Sequence, residues 1–307
     1  MEIFNRVDEL PSHIRGGVLS IGKFDGLHLG HARIISSARA TARRRGAMVV
    51  VFTFHPSPMA ILQPESAPAP ITDPDTKRAL LERSGVDALI EFPTTREFLS
   101  LTAEEFFSEI VVERLGAVAI TEGASFAFGR DRVGPGSGLE ELAARFGVEL
   151  DVAQAVRVGE TVVSSSAIRN ALARGDVECA SKLLGRRYAI SGVVEHGDAR
   201  GQTLGYPTAN VADPGVFLPR EGIYAARARM ENGEIRAAAV NLGGNPTFGV
   251  AERKIEAHLL DYRGDLYGVR LELEFCARLR DVVQFSSKEA LLAQMARDVD
   301  DVRRLVR

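Results

Sequence analysis

The chain has 307 residues, 45% of them hydrophobic and 26% charged, and its net charge is −3. That length suits two domains of about 100 to 200 residues, each able to bury a sizeable core. The slightly acidic balance argues against the broad basic face that binds DNA or RNA, and Arg43-Arg44-Arg45 reads as a helix end favoured by the macrodipole.

Only two cysteines are present, Cys179 and Cys276, without metal-ligand spacing or a disulfide framework. No stretch approaches the roughly 18 apolar residues that cross a bilayer, and the first 12 residues carry acids rather than an apolar run. The expectation is a reduced, cytoplasmic protein with no membrane or nucleic-acid partner.

In chain order, residues 18–21 predict a short apolar strand and residues 31–45 a helix stopped by Gly46. Residues 47–54 form a continuous apolar run of the buried parallel kind. A proline-rich loop with Pro56, Pro58, Pro64, Pro68 and Pro70 follows. Thr102 and Glu105 make a capping box that opens a helix to Leu115, ended by Gly116. Residues 117–121 are the next strand and residues 139–146 a helix closed by Gly147. This alternation predicts a Rossmann-like domain: a parallel sheet with helices on both faces.

After Gly185 the pattern changes to period two. Tyr224, Ala226, Ala228 and Met230 share one strand face, and Asn232-Gly233 turns the chain into Ile235, Ala237 and Ala239. Val269, Leu271, Leu273 and Phe275 alternate with charged residues. An antiparallel sheet or small barrel is expected, with the segment 288–306 as a helix packed on it through Leu291, Leu292, Met295 and Val299. The domains are therefore placed at residues 1–185 and 186–307.

Between the first strand and first helix the sequence reads Gly22-Lys23-Phe24-Asp25-Gly26-Leu27-His28-Leu29-Gly30-His31. A helix N-terminus offers unpaired N–H groups to a polyphosphate, and two imidazoles three apart can donate to phosphoryl oxygens. The segment resembles the GxFDGxHxGH signature of nucleotidyltransferases in their prokaryotic FAD-synthetase form. Val163-Ser164-Ser165-Ser166-Ala167-Ile168-Arg169 is similar to that family's serine-rich motif. The resemblance implies adenylyl transfer from ATP to the phosphate of FMN. It gives catalytic roles to His28, His31 and Arg169, and binding roles to Gly22, Phe24, Asp25, Gly26, Gly30, Ser164 and Ser165. Two departures stand out: Ser57 replaces the second histidine of TFxPHP, and Ser125 replaces the asparagine of the flavin-proximal segment Gly123 to Gly129. Ser125, Phe126 and Phe128 are expected near the flavin; Phe54, Phe126 and Phe128 read equally as pocket lining or as core.

In the second half, Gly197, Gly201 and Gly205 surround Arg200 and lead into Tyr206-Pro207-Thr208-Ala209-Asn210. Thr208 and Asn210 lie two apart, so an extended chain points both to one side, where a hydroxyl and an amide oxygen suit Mg²⁺. This resembles the riboflavin kinase signature and its PTAN core, continuing through Gly222-Ile223-Tyr224-Ala225, Asn241 to Phe248 and Glu256 to Asp261. The resemblance implies a six-stranded antiparallel barrel that phosphorylates riboflavin with ATP and Mg²⁺. Glu256 is the expected base, sharing a strand face with Lys254 and His258. Gly197, Arg200, Gly201, Gly205, Pro207, Thr208, Asn210, Tyr224 and Asn241 are the expected binding residues, Thr208 and Asn210 doubling as metal ligands. Over its whole length the chain resembles the prokaryotic bifunctional riboflavin kinase/FMN adenylyltransferases, with riboflavin, FMN, FAD and ATP as substrates and products. A kinase with a weakened or regulatory first domain, a non-catalytic flavin or nucleotide sensor, and weak self-association remain open.

Overall fold

A computed structural model describes residues 1–8, 10–197, 204–245 and 250–306. The chain divides into two compact units, residues 1–68 with 74–164, and residues 69–73 with 165–307.

The first unit is doubly wound. Its strands are β1 (Glu2–Phe4), β2 (Val18–Ile21), β3 (Val49–His55), β4 (Ala88–Pro93), β5 (Ala119–Gly123) and β6 (Glu149–Ala153). They pair in parallel in the order β1-β4-β3-β2-β5-β6. The helices are α1 (Leu29–Arg45), α2 (Pro58–Leu62), α3 (Pro74–Arg83), α4 (Arg96–Leu99), α5 (Ala103–Phe106) and α6 (Leu139–Phe146). Strand direction of travel reverses between β2 and β5, so the crevice at their carboxyl ends is the expected ligand site of such a sheet.

Apolar runs on β2 to β5 are explained by burial on both faces. Val18, Val49, Val51 and Leu89 pack with Ile35 and Ala38 of α1 and with Leu81 of α3. Leu19, Ile21, Val50, Phe52 and Ile90 pack on the opposite face with Phe106, Phe107 and Leu139. The Thr102–Glu105 capping box is present. The helix it opens continues to Arg114 with π-helical winding from Phe107, a widening that lets Phe107, Ile110 and Val111 all reach the core. The short edge strand β1 and the helix α2 inside the proline-rich loop add to the sequence expectation. A small antiparallel pair, β7 (Arg157–Val158) and β8 (Thr161–Val162), follows.

In the second unit, α7 (Ser165–Ala173) and α8 (Val177–Leu184) precede a barrel of β9 (Ala189–Glu195), β10 (Ala209–Val211), β11 (Gly222–Met230), β12 (Ile235–Asn245), β13 (Val250–Leu259) and β14 (Arg270–Arg280). The barrel closes in the order β10-β13-β12-β11-β14-β9 with antiparallel pairing throughout. Alternation sends Tyr224, Ala226, Ala228, Leu271, Leu273 and Phe275 inward, all fully buried. The last helix, α9 (Lys288–Leu305), covers Ala225, Ala237, Ala239 and Leu260 with Val299 and Val302. Its most buried residues are Val302 and Asp298; the Asp298 carboxylate receives Arg280 at 2.7 and 3.0 Å and so docks the helix on β14.

Candidate functional sites

The loop after β2 lies at the reversal crevice. Phe24 and Leu27 adopt left-handed φ values of 47° and 35°. Such conformations persist where surrounding packing fixes them, and both side chains are buried beneath α1. His28 is the N-cap of α1, its Nδ1 accepting the His31 N–H at 3.3 Å. The two imidazoles stack with centroids 3.7 Å apart and planes 13° from parallel, and the Phe24 ring lies 5.1 Å from that of His31. Gly30 fits because a Cβ there would stand 3.1 Å from the His28 ring and 3.7 Å from the Val163 carbonyl oxygen. The segment leading into Ser164 therefore runs beside the first turn of α1. The structure thus brings Gly22, Phe24, Asp25, Gly26, His28, Gly30, His31 and Ser164 into one neighbourhood. Ser165 and Arg169 belong to α7 in the second unit, where Arg169 Nε donates to the Ala69 carbonyl at 3.2 Å.

Phe24 and Phe128 are core residues, 2% and 9% exposed, which favours packing over contact with a ligand. Phe54, Phe92 and Phe98 are half-buried around Phe52, and half-buried Phe126 stacks on Phe128, so the carboxyl end of this face presents an aromatic floor. Ser125 is exposed, and Ser57 is occupied as the N-cap of α2, accepting from Ala60 N–H at 3.3 Å.

One residue at this crevice escaped the sequence reading. The β2–β5 ladder runs only as far as Leu19 and Ile120. Beyond it the Ile21 N–H donates instead to Glu122 Oε1, at 2.5 Å. Glu122 is 2% exposed, and burial pushes its carboxyl well above the usual range, against a smaller opposite effect of that hydrogen bond. An acid directly before the Gly123 to Gly129 segment was the available signal.

The second site is a cross-strand row on the outer face of the barrel. Asn210 of β10 pairs with Glu256 of β13, which pairs in turn with Asn241 of β12. Cross-strand neighbours of this kind stand about 5 Å apart. Asn241 Nδ2 donates to Glu256 Oε2 at 3.1 Å, which fixes the carboxylate, while Asn241 Oδ1 is buried with no hydrogen-bond partner among the described residues. Ile255, Ala257 and Leu259 point into the barrel, leaving Lys254, Glu256 and His258 on the opposite face.

Thr208 and Asn210 flank buried Ala209 and so share the outer side with Glu256. His258 Nδ1–H donates to the Pro207 carbonyl at 2.8 Å and packs its ring edge-on to Tyr206, tying down the segment before Thr208. Gly197 allows the neighbouring loop to approach, since a Cβ there would lie 2.0 Å from Asn210 Nδ2. Gly205 is exposed with φ 83°. Tyr224 is fully buried in the barrel, edge-on to Phe275, and donates its hydroxyl proton to the Arg220 carbonyl. Arg200 and Gly201, with residues 246–249, lie outside the described residues.

A doubly wound unit with a histidine-capped helix at its reversal, followed by a closed barrel bearing a buttressed carboxylate, defines a two-headed phosphate-transferring enzyme. The FAD synthetase family profile matches residues 10–167, and the riboflavin kinase profile matches residues 184–306. The bifunctional riboflavin kinase/FMN adenylyltransferase of Pseudomonas fluorescens is 36% identical, covering 99% of this chain and 98% of its own. That of Escherichia coli K12 is 35% identical over 283 residues, covering 92% of this chain and 90% of its own. The chain belongs to the bifunctional riboflavin kinase/FMN adenylyltransferase family. A crystal structure described as a macrolide-efflux protein from Streptococcus pneumoniae matches with TM-score 0.88 and 31% identity over 98% of both chains. Among the described residues here, no helix is long and apolar enough to cross a membrane.

Proposed function

We propose that residues 186–307 convert riboflavin and ATP to FMN, and that residues 1–185 then convert FMN and ATP to FAD. The observation that carries the first step is the Asn210–Glu256–Asn241 row. The 5′-hydroxyl of riboflavin is un-ionised at neutral pH, so a positioned base accelerates its attack. Glu256, oriented by Asn241, accepts that proton as the oxygen bonds to the γ-phosphorus and ADP departs.

Thr208, Asn210 and Glu256 offer only oxygen donors side by side, which fits a hard cation such as Mg²⁺. Among the described residues no cluster of three His, Cys, Asp or Glu side chains forms a metal cage. Thr208 and Asn210 would therefore hold the ion together with ATP oxygens, and its charge would offset that of the triphosphate. Gly197 and Gly205 belong to the loop flanking this segment, which the reading assigns to ATP together with Arg200 and Gly201.

Adenylyl transfer needs no base. The FMN phosphate is largely dianionic at neutral pH, its second pKa being about 6. Its oxygen attacks the α-phosphorus of ATP, the bond to the bridging oxygen breaks, and pyrophosphate leaves. Positioning and charge stabilisation carry such a step. His28 and His31 at the α1 N-terminus supply donors; Ser164, Ser165 and Arg169 complete the assignment. The aromatic floor around Phe126 suits the flavin ring. The reading takes ATP, riboflavin and FMN as small-molecule partners and the cytoplasm as the location.

Chromatography of products from riboflavin, ATP and Mg²⁺ tests it. FMN accumulating before FAD is expected; a mixture with neither FMN nor FAD would refute the kinase step, and one with FMN but no FAD the adenylyl step.

A further inference from the structure

Among the described residues, Lys77 takes part in no hydrogen bond and no ion pair, yet its side chain is half-buried. Its neighbour Arg78 behaves differently, donating to Glu91 at 2.5 and 3.0 Å and to Asp75 at 3.2 Å. A lysine partly withdrawn from water, with no carboxylate in contact, is costly unless a ligand supplies an anion.

Its place in the fold says where that ligand would sit. In a parallel sheet the crossover helices run against the strands, so the first turn of α3 stands at the carboxyl edge, where ligands bind. Lys77 lies one helical turn before Leu81, on the same stripe. Leu81 is fully buried and shares a core with Phe24 and Leu27, so this stripe of α3 is laid against the loop after β2. The carboxylates that act on Lys77 are Glu91 of β4 and Asp25 of that loop. Both favour its charged form; burial acts the other way and outweighs them, so its pKa is lowered, while Arg78 lowers it further. A bound phosphate would complete the balance in favour of the ammonium.

We infer that Lys77 is a phosphate-binding residue of the adenylyl-transfer site, its ammonium donating to non-bridging oxygens. The inference rests on the adenylyl-transfer reading above. Two phosphates meet in that site, the triphosphate of ATP and the monophosphate of FMN, and their chemistry at an ammonium is the same.

The test uses full-length Lys77→Met and Lys77→Arg. Lys77→Met should lower kcat/KM for FAD formation about 10- to 100-fold, the loss expected for one charge-assisted hydrogen bond to a bound phosphate. A raised KM for ATP together with weaker inhibition by pyrophosphate assigns the contact to the triphosphate; a raised KM for FMN assigns it to the monophosphate. Lys77→Arg, which keeps the charge, should recover part of the loss. Riboflavin phosphorylation by the same chains should match the wild type, and amide exchange of residues 1–164 should be unchanged. If Lys77→Met does not fold, Lys77→Gln, which also removes the charge, carries the same kinetic comparison. Wild-type kinetics in Lys77→Met, or a fall in kcat with every KM and the pyrophosphate inhibition unmoved, would overturn the inference. A wild-type chain that makes no FAD would remove the underlying reading instead.

Discussion

Replacing Glu122 by glutamine should stabilise the first unit, and the gain should grow with pH. The amide keeps an oxygen for the Ile21 N–H, which the wild-type carboxyl accepts at 2.5 Å, but removes the titration. Burial raises the folded-state pKa of Glu122 well above that of an exposed glutamate. Below the unfolded pKa, both states of the wild type hold the proton and the variants differ little. Above it, the unfolded chain loses its proton while the folded one keeps it, so wild-type stability falls as pH rises towards the folded pKa. The slope is about 1.4 kcal/mol per pH unit, a tenfold change in unfolding constant. Glutamine abolishes that slope.

All five tyrosines lie after residue 187 and the chain has no tryptophan, so ring emission reports only the barrel unit. Amide exchange of β2 and β5 peptides is the suitable assay, comparing the variants at equal pH so that intrinsic rates cancel. The ratio of protection, Glu122→Gln over wild type, should rise about tenfold per pH unit above the unfolded pKa. A ratio independent of pH would show that Glu122 is ionised in the folded protein and that the crevice is wetter than its burial implies.

Two further outcomes follow from the barrel. Gly197→Ala puts a methyl 2.0 Å from Asn210 Nδ2, so Asn210 must shift; FMN formation should fall by about 100-fold, as for misplacements near 1 Å, while FAD formation from added FMN persists. Asp298→Ala strips the carboxylate from Arg280, whose side chain is 21% exposed, and should cost about 3 kcal/mol in urea melts followed by tyrosine emission.

The sequence carried these features unequally. Glycines after helices, the Thr102–Glu105 box and the Asn232-Gly233 turn are local signals, and the structure places them as expected. The charged row of Lys254, Glu256 and His258 was legible because period two alone separates strand faces. Its meaning was not, because the contact of Glu256 with Asn210 and Asn241 depends on register between strands far apart in sequence. Tyr224 illustrates the converse: it lies within a signature, yet alternation turns it inward. Asp298 on an otherwise amphipathic helix reads as solvated until β14 brings Arg280 to it. Glu122 and Lys77 look ordinary in sequence. Only the end of the β2–β5 ladder and the direction of α3 mark them.

Two chemically separate sites in one chain are most directly tested by paired variants assayed for both products. Glu256→Gln should cut FMN formation from riboflavin by about 100- to 10,000-fold and leave FAD formation from supplied FMN near the wild-type rate. His31→Ala should do the reverse, lowering FAD formation about 100-fold while riboflavin phosphorylation continues. If either substitution abolished both reactions in a folded chain, or Glu256→Gln left FMN formation untouched, the account would be contradicted.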